Sequence, residues 1–226
     1  MAPTVVGTGA VASGAAAITP ALPSPLAVDD IIIGIGECEG VTAPGRYFDA
    51  TGGNPPAPWA HVSSDGTPVS PILQGTNTRL TAIWTRYDGT QTAFSWGDAG
   101  DHNLGRYIAI RDCPGTGNPW NAVATSVEAT SDTSASWPGL TTTVDDCLIL
   151  EICATSADIA SAQISALTNA SYTSITEHID NAIITGNGGV IICYSGVKAT
   201  QGATGSSTAT LTTAGFKALM TLAMAP

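Results

Sequence analysis

The chain has 226 residues, of which only 11% are charged, and a net charge of −11. Two lysines, five arginines and no basic run argue against a nucleic-acid partner, which needs clustered Lys and Arg. They also argue against a basic membrane-surface helix, and no apolar stretch reaches the ~18 residues of a transmembrane helix.

Charged residues normally make up about a quarter of a soluble domain. Here Thr, Ser, Asn and Gly take the polar role, which suits pleated surfaces and turns. A surface with so few repulsive charges can form packed contacts at little desolvation cost, so assembly, with a homo-oligomer as one form, is expected. The length fits one all-β domain. Met1-Ala2-Pro3-Thr4 lacks a positive leader, so synthesis in a cytoplasm without Sec export is expected.

Residues 1–27 are small, Pro-punctuated and almost uncharged. Thr4-Val5-Val6-Gly7 and the run around Ile18 are short strand candidates, and the segment reads as an edge strand or an arm packing on a neighbour. Asp30 to Cys38 is a strong strand. A Gly/Pro loop over 40–58 leads to a short strand at Trp59-Ala60-His61-Val62. Thr78 to Tyr87 alternates, and Asp88-Gly89 reads as a hairpin turn with Thr92 to Trp96 as its partner. Gly105 to Arg111 is apolar on both faces. Val123 to Ala129 and Cys147 to Ala154 are further strands. Ala157 to Leu167 is open to a short-helix reading. Ile175–Ile184 and Val190–Val197 flank Thr185-Gly186-Asn187-Gly188-Gly189, a strong hairpin signal. Thr208 to Thr213 alternates, and Phe216 to Met224 reads as a closing strand.

Two lead-ins nearly repeat each other. Val28-Asp29-Asp30 runs into Ile31-Ile32-Ile33, and Val144-Asp145-Asp146 runs into Cys147-Leu148-Ile149, each after a Pro-containing small-residue stretch. One structural device used twice points to a β scaffold before any chemistry. The expected fold is therefore all-β: an antiparallel β-sandwich, jelly-roll-like, with an extended N-terminal segment (1–27) and a single sandwich domain (28–226).

Chemistry is sparse. The dense polar patch is Trp96-Gly97-Asp98-Ala99-Gly100-Asp101-His102-Asn103, where Asp98, Asp101 and His102 could hold a cation or move a proton. An Asx-type turn explains the same residues more simply. His61 and His178 have no metal-ligand spacing. Cys38, Cys113, Cys147, Cys153 and Cys193 form no C-x-x-C pair and read as reduced, buried thiols. Ser195 lacks a nucleophile elbow. Gly34-Ile35-Gly36 is followed by Gly40, one position too late for a dinucleotide fingerprint. Trp96, Trp120 and Trp137 lie in or beside loops; exposed, they would stack on sugars or anchor a partner, and buried, they would cap the sandwich. Trp96, Asp98, Asp101, His102 and Trp120 are thus the candidate loop contacts. No catalytic residue, metal ligand or cofactor is expected.

Several ordered segments carry a resemblance. They are Val5-Val6-Gly7-Thr8-Gly9-Ala10, Pro20 to Ile33, Trp59, Arg79 to Arg86 with Trp84, Tyr107 to Asp112, Leu140 to Asp146, and Gly205-Ser206-Ser207-Thr208-Ala209-Thr210. In this order they resemble a loosely defined group of tailed-bacteriophage virion proteins, over most of the chain. The resemblance implies a structural β-sandwich on the capsid exterior or the tail, with the major capsid protein or other virion proteins as partners, and supplies no catalytic residues. A tail fibre or adhesin module binding a host-surface glycan is the alternative. A glycan-active enzyme would need paired carboxylates across a cleft, and no spacing among Glu37, Glu39, Glu128, Glu151 and Glu177 singles out a pair.

Overall fold

The computed structural model describes residues 1–39, 55–64, 66–74, 77–97 and 100–226. Most of the predicted 40–58 loop lies outside these residues. The described chain is all-β, with no helix among the described residues.

The first half supplies β1 (Thr4–Thr8), β2 (Ala12–Gly14), β3 (Ile31–Cys38), β4 (Ala60–His61), β5 (Ser63–Ser64), β6 (Thr67–Pro68), β7 (Ile72–Gln74), β8 (Thr78–Arg86) and β9 (Asn103–Arg111). The second supplies β10 (Trp120–Trp137), β11 (Thr141–Thr142), β12 (Cys147–Thr155), β13 (Thr173–Ile183), β14 (Gly189–Lys198), β15 (Gly202–Ala203) and β16 (Ser207–Met224). Among the described residues two small two-stranded sheets, β11–β15 and β5–β6, accompany two large antiparallel ones. One runs β1-β9-β3-β8-β4, with β2 beside β9 and β7 beside β8; the other runs β10-β16-β12-β14-β13.

The two sheets are wired alike. Ranking the five main strands of each half in chain order gives first–fifth–second–fourth–third across both sheets. Their packing is reciprocal too: β3 lies against β14 as β12 lies against β8, and β9 lies against β14 as β16 lies against β8. The two halves are thus alike in wiring and in these contacts, while β2 and β7 have no counterpart in the second sheet. Each sheet comes from one half of the chain, and this wiring does not establish jelly-roll connectivity.

The repeated lead-ins start the middle strand of each sheet, β3 and β12. In both, an aspartate takes the left-handed conformation: Asp29 (φ 75°) and Asp146 (φ 57°). In both, its N–H donates to the carbonyl just beyond the sheet's fourth strand, Asp29 to Tyr87 (2.8 Å) and Asp146 to Ala199 (3.1 Å). The device is thus the same, shifted by one residue within the motif. The first copy is reinforced by Arg111, which grips Asp30 with two hydrogen bonds of 2.7 Å.

Alternation decides what meets between the sheets. Ile31, Ile33 and Ile35 of β3 and Ile108 and Ile110 of β9 join Leu148, Leu150 and Ile152 of β12 and Met220 and Leu222 of β16 in one buried core. The other face of β3 is also apolar, so it must be covered as well. Ile32, Ile83 and Tyr107 are roofed by Ile18, Trp59 and Trp96. The N-terminal segment is part of that roof and pairs through β1 and β2 with β9. Residues 1–27 are therefore laid onto their own sheet rather than held out as a free arm.

Residues 92–96 form no hairpin with β8. Tyr87 exchanges its backbone bonds with Asp29 and Asp30 instead, and Trp96 forms an isolated bridge to Ile18. The 157–167 segment is not helical; Ile164 and Thr168 bridge to Leu211 and Thr208 of β16.

β10 and β16 are long because they double back. Ser207 and Thr221 are 14 residues apart on β16, about 45 Å if extended, yet both bond the same Glu151 carboxyl (2.5 and 2.6 Å). The far half of the ribbon, with Trp137 and Leu211, covers the outer face of the second sheet, and the Trp137 indole N–H donates to the Ile152 carbonyl (3.0 Å).

Candidate functional site

The strongest polar constellation joins the two sheets at the end where β3 finishes. Glu37, near the C-terminus of β3, and His102, just before β9, both face inward, and both side chains are fully buried. Glu37 Oε2 lies 2.8 Å from His102 Nε2, and Asp101 Oδ1 lies 2.6 Å from Nδ1. Thr78 donates to Glu37 Oε1 (2.9 Å). Across the interface the β13–β14 turn closes over this group: the Asn187 N–H donates to Asp101 Oδ2 (2.8 Å). Two glycines make the approach possible. A Cβ on Gly189 would stand 1.9 Å from Glu37 Oε2, and one on Gly186 2.4 Å from the Asp101 carboxyl carbon.

Burial pulls the His102 imidazole toward its neutral form. Hydrogen bonds and charge from Glu37, then from Asp101, overcome it and raise the imidazole to about 9. Burial pushes Glu37 upward against the pull of His102. The pair therefore holds its shared proton more tightly than the unfolded chain does. The geometry superficially suggests a catalytic relay, but both ring nitrogens are occupied by carboxylates, so neither is left to exchange a proton with a substrate. What this arrangement does is tie β3 to the start of β9 within the first sheet and, through Asp101, hold the β13–β14 turn of the second sheet over them.

A second buried carboxyl sits in the middle of β12. Glu151 is 1% exposed and touches the hydroxyls of Tyr172 (2.9 Å), Ser207 and Thr221. Thr221 Oγ1 is also 2.7 Å from the Pro138 carbonyl oxygen, which can only accept. One hydroxyl proton cannot serve both partners. With that proton on Pro138, Glu151 must itself be protonated and donate to Thr221. Burial favours the same state and raises Glu151 to about 7, against the lowering effect of its three hydroxyl partners. Because the folded value lies above the ordinary 4.5, the stabilisation is full below 4.5 and is lost as pH rises through about 7. Glu151→Gln can keep the donor toward Thr221 without a titrating proton. Its Tm should therefore change less between about pH 5 and about pH 9 than the wild type's. An identical pH dependence in both proteins would contradict the assignment.

Lys217 is a third case. Its ammonium is fully buried between Glu128 and Asp132, 2.9 Å from each, and pins the irregular stretch where β10 and β16 bend. Ser195 Oγ and His178 Nε2 lie 2.7 Å apart on adjacent strands, a nucleophile–base distance. Ser195 is 6% exposed, and no acidic side chain bonds the other ring nitrogen of His178 among the described residues. The pair ties β13 to β14.

Of the loop residues singled out from the sequence, the tryptophans take the buried alternative. Trp96 is 4% exposed; its indole lies over Gly34, Gly36 and Gly105 and donates to Tyr107 Oη (2.8 Å). Trp120 is 8% exposed, donates to the Ser63 carbonyl (2.9 Å) and meets Trp84 edge to face. Neither is an exposed contact, because each ring has apolar surface to cover and a buried acceptor for its N–H. Asp101 and His102 are brought together, in the clamp; Asp98 lies outside the described residues. Among the described residues no group of three or more His, Cys, Asp or Glu is arranged to hold a metal ion. The five cysteines are free thiols. Glu37, Glu151 and Lys217 were not singled out as a site by sequence reasoning. A signal existed for Glu151, an acid inside the unbroken apolar run Leu148-Ile149-Leu150-Glu151-Ile152, which must find partners if that run is buried.

No family model, curated protein or solved structure matches the chain significantly.

Proposed function

We propose that the chain is a non-enzymatic structural protein of a tailed-phage virion, made in the host cytoplasm, that decorates or cements the capsid exterior through protein–protein contacts. The supporting observation is that Glu37, His102, Glu151 and Lys217, which centre the three densest polar groups, are buried and spent on tying together strands and turns of the fold. Outside remain a surface of low charge and a long edge strand, β10, half of whose residues are exposed. Such an edge is a ready template for a neighbouring chain. The major capsid protein, other virion proteins or further copies of this chain are the partners in this reading. Purified chain should co-sediment with particles from which its gene has been deleted, and the binding should saturate. Absence of any co-sedimentation would count against a virion role.

A further inference from the structure

A different part of the molecule offers a ligand site. The Asp88–Gln91 turn after β8 separates two open depressions, of about 540 and about 360 Å³, which share Pro58, Asp88 and Gln91 in their walls. Both volumes fall within the range of small-ligand sites. They lie by the N-terminal end of β3, some 25 Å along that strand from the Glu37–His102 clamp.

The turn is pre-organised. Asp88 Oδ1 accepts from the Thr90 amide (2.8 Å) and hydroxyl (2.6 Å), while Gln91 Oε1 accepts from the Asp88 amide (2.7 Å). These bonds fix both side chains. They do not use Asp88 Oδ2, an acceptor, or the Gln91 amide nitrogen, a donor, and both residues line both depressions. The Thr90 hydroxyl and amide also hold Asp88 below the usual carboxylate range, so its acceptor persists at neutral pH. The walls are apolar: Pro56, Pro58, Trp59 and Phe94 on one side, Trp84 and Tyr87 on the other. Trp59 and Phe94 meet edge to face with centroids 5.3 Å apart, which fixes the larger wall. Phe94 and Tyr87 are only partly buried, so part of each ring faces solvent.

A rigid acceptor–donor pair beside aromatic and proline walls matches one ligand chemistry well. Adjacent sugar hydroxyls donate and accept at once, and the C–H face of a pyranose packs on aromatic carbon. Asp29 and Asp88 outnumber Arg86 in the walls, and with the chain's −11 charge they disfavour acidic ligands. We propose that this divided groove binds a neutral pyranose of a surface glycan, with Asp88 and Gln91 reading neighbouring hydroxyls. It would give the protein a carbohydrate-binding activity beyond its structural role, at a place distinct from the buried Trp96 and Trp120.

The test uses the full chain and saturation-transfer NMR with the methyl glycosides of glucose, galactose, mannose and N-acetylglucosamine. At least one should give a saturable response. Asp88→Asn, which keeps the Oδ1 acceptor of the turn, should weaken it about tenfold with little change in Tm, and Gln91→Ala should weaken it as much with a small fall in Tm, since its bond to the Asp88 amide is lost. No saturable response from any of the four would overturn the proposal. So would unchanged affinity in both variants, or binding of glucuronate in preference to the neutral sugars.

Discussion

His102→Ala is expected to be among the most damaging single substitutions in the protein. It removes the group that neutralises a fully buried Glu37 and leaves that carboxylate without its partner at an interface between sheets. Breaking a buried pair this way costs about 3–5 kcal/mol, or roughly 10–15 °C in Tm for a chain of this size. Replacing both members, as Glu37→Leu with His102→Leu, removes the charge together with its partner, so much of the loss should be recovered. The wild-type clamp also has a definite pH signature. The folded imidazole titrates at about 9 against an ordinary 6.5, so its contribution is complete below 6.5 and disappears as pH rises through about 9. In His102→Ala the unpartnered Glu37 is neutralised in acid, so thermal melts of the two proteins should differ most where Glu37 is charged and His102 still protonated, and the difference should shrink as pH rises through about 9. A difference that grows as pH rises through about 9 would contradict the account.

The second large effect lies on the roof of the first sheet. Trp96→Ala should cost about 3–5 kcal/mol, since it empties the space over the glycine track of Gly34, Gly36 and Gly105. Gly36→Val attacks the same contact from below: a Cβ there would stand 2.1 Å from the indole ring. Each change alone displaces or deletes the ring. The double variant should therefore be much less destabilised than the sum of the two, because the valine partly fills the space the tryptophan vacated. Denaturant melts of the four proteins form the cycle. Simple additivity would show that Trp96 is not seated on Gly36.

These two sites show what was legible in the sequence. Short apolar runs at Ile31–Cys38, Cys147–Ala154 and Val190–Val197, and the Gly-rich turn at 185–189, specify paired antiparallel strands locally, and a sandwich-like layout is consistent with them. The doubled Val-Asp-Asp lead-in marks the middle strand of each like-wired sheet, a long-range property carried by a local signal. Contacts between distant segments were not legible in this way. Glu37 and His102 stand 65 residues apart, and nothing in either neighbourhood announces the other. Trp96 lies among Gly and Asp, the composition of an exposed loop, and its burial is decided by the apolar outer face of β3, which needs a cover. Asp88-Gly89 carries the chemistry of a hairpin turn, but Tyr87 had already committed its backbone to Asp29 and Asp30. The full length of β10 and β16 escaped for a related reason. Their outer halves are Ser/Thr-rich and read as turns until their fold-back places Trp137 and Leu211 on the second sheet.

A structural role on a particle makes a prediction about place that no property of the isolated chain can replace. The proposed virion role is tested most directly by electron microscopy of phage particles released by cells that make this protein, labelled with gold-conjugated antibody to it. Gold over the shell is the predicted result. Particles that carry no gold, on shell or tail, while the same antibody detects the protein in the infected cell, would contradict a virion role.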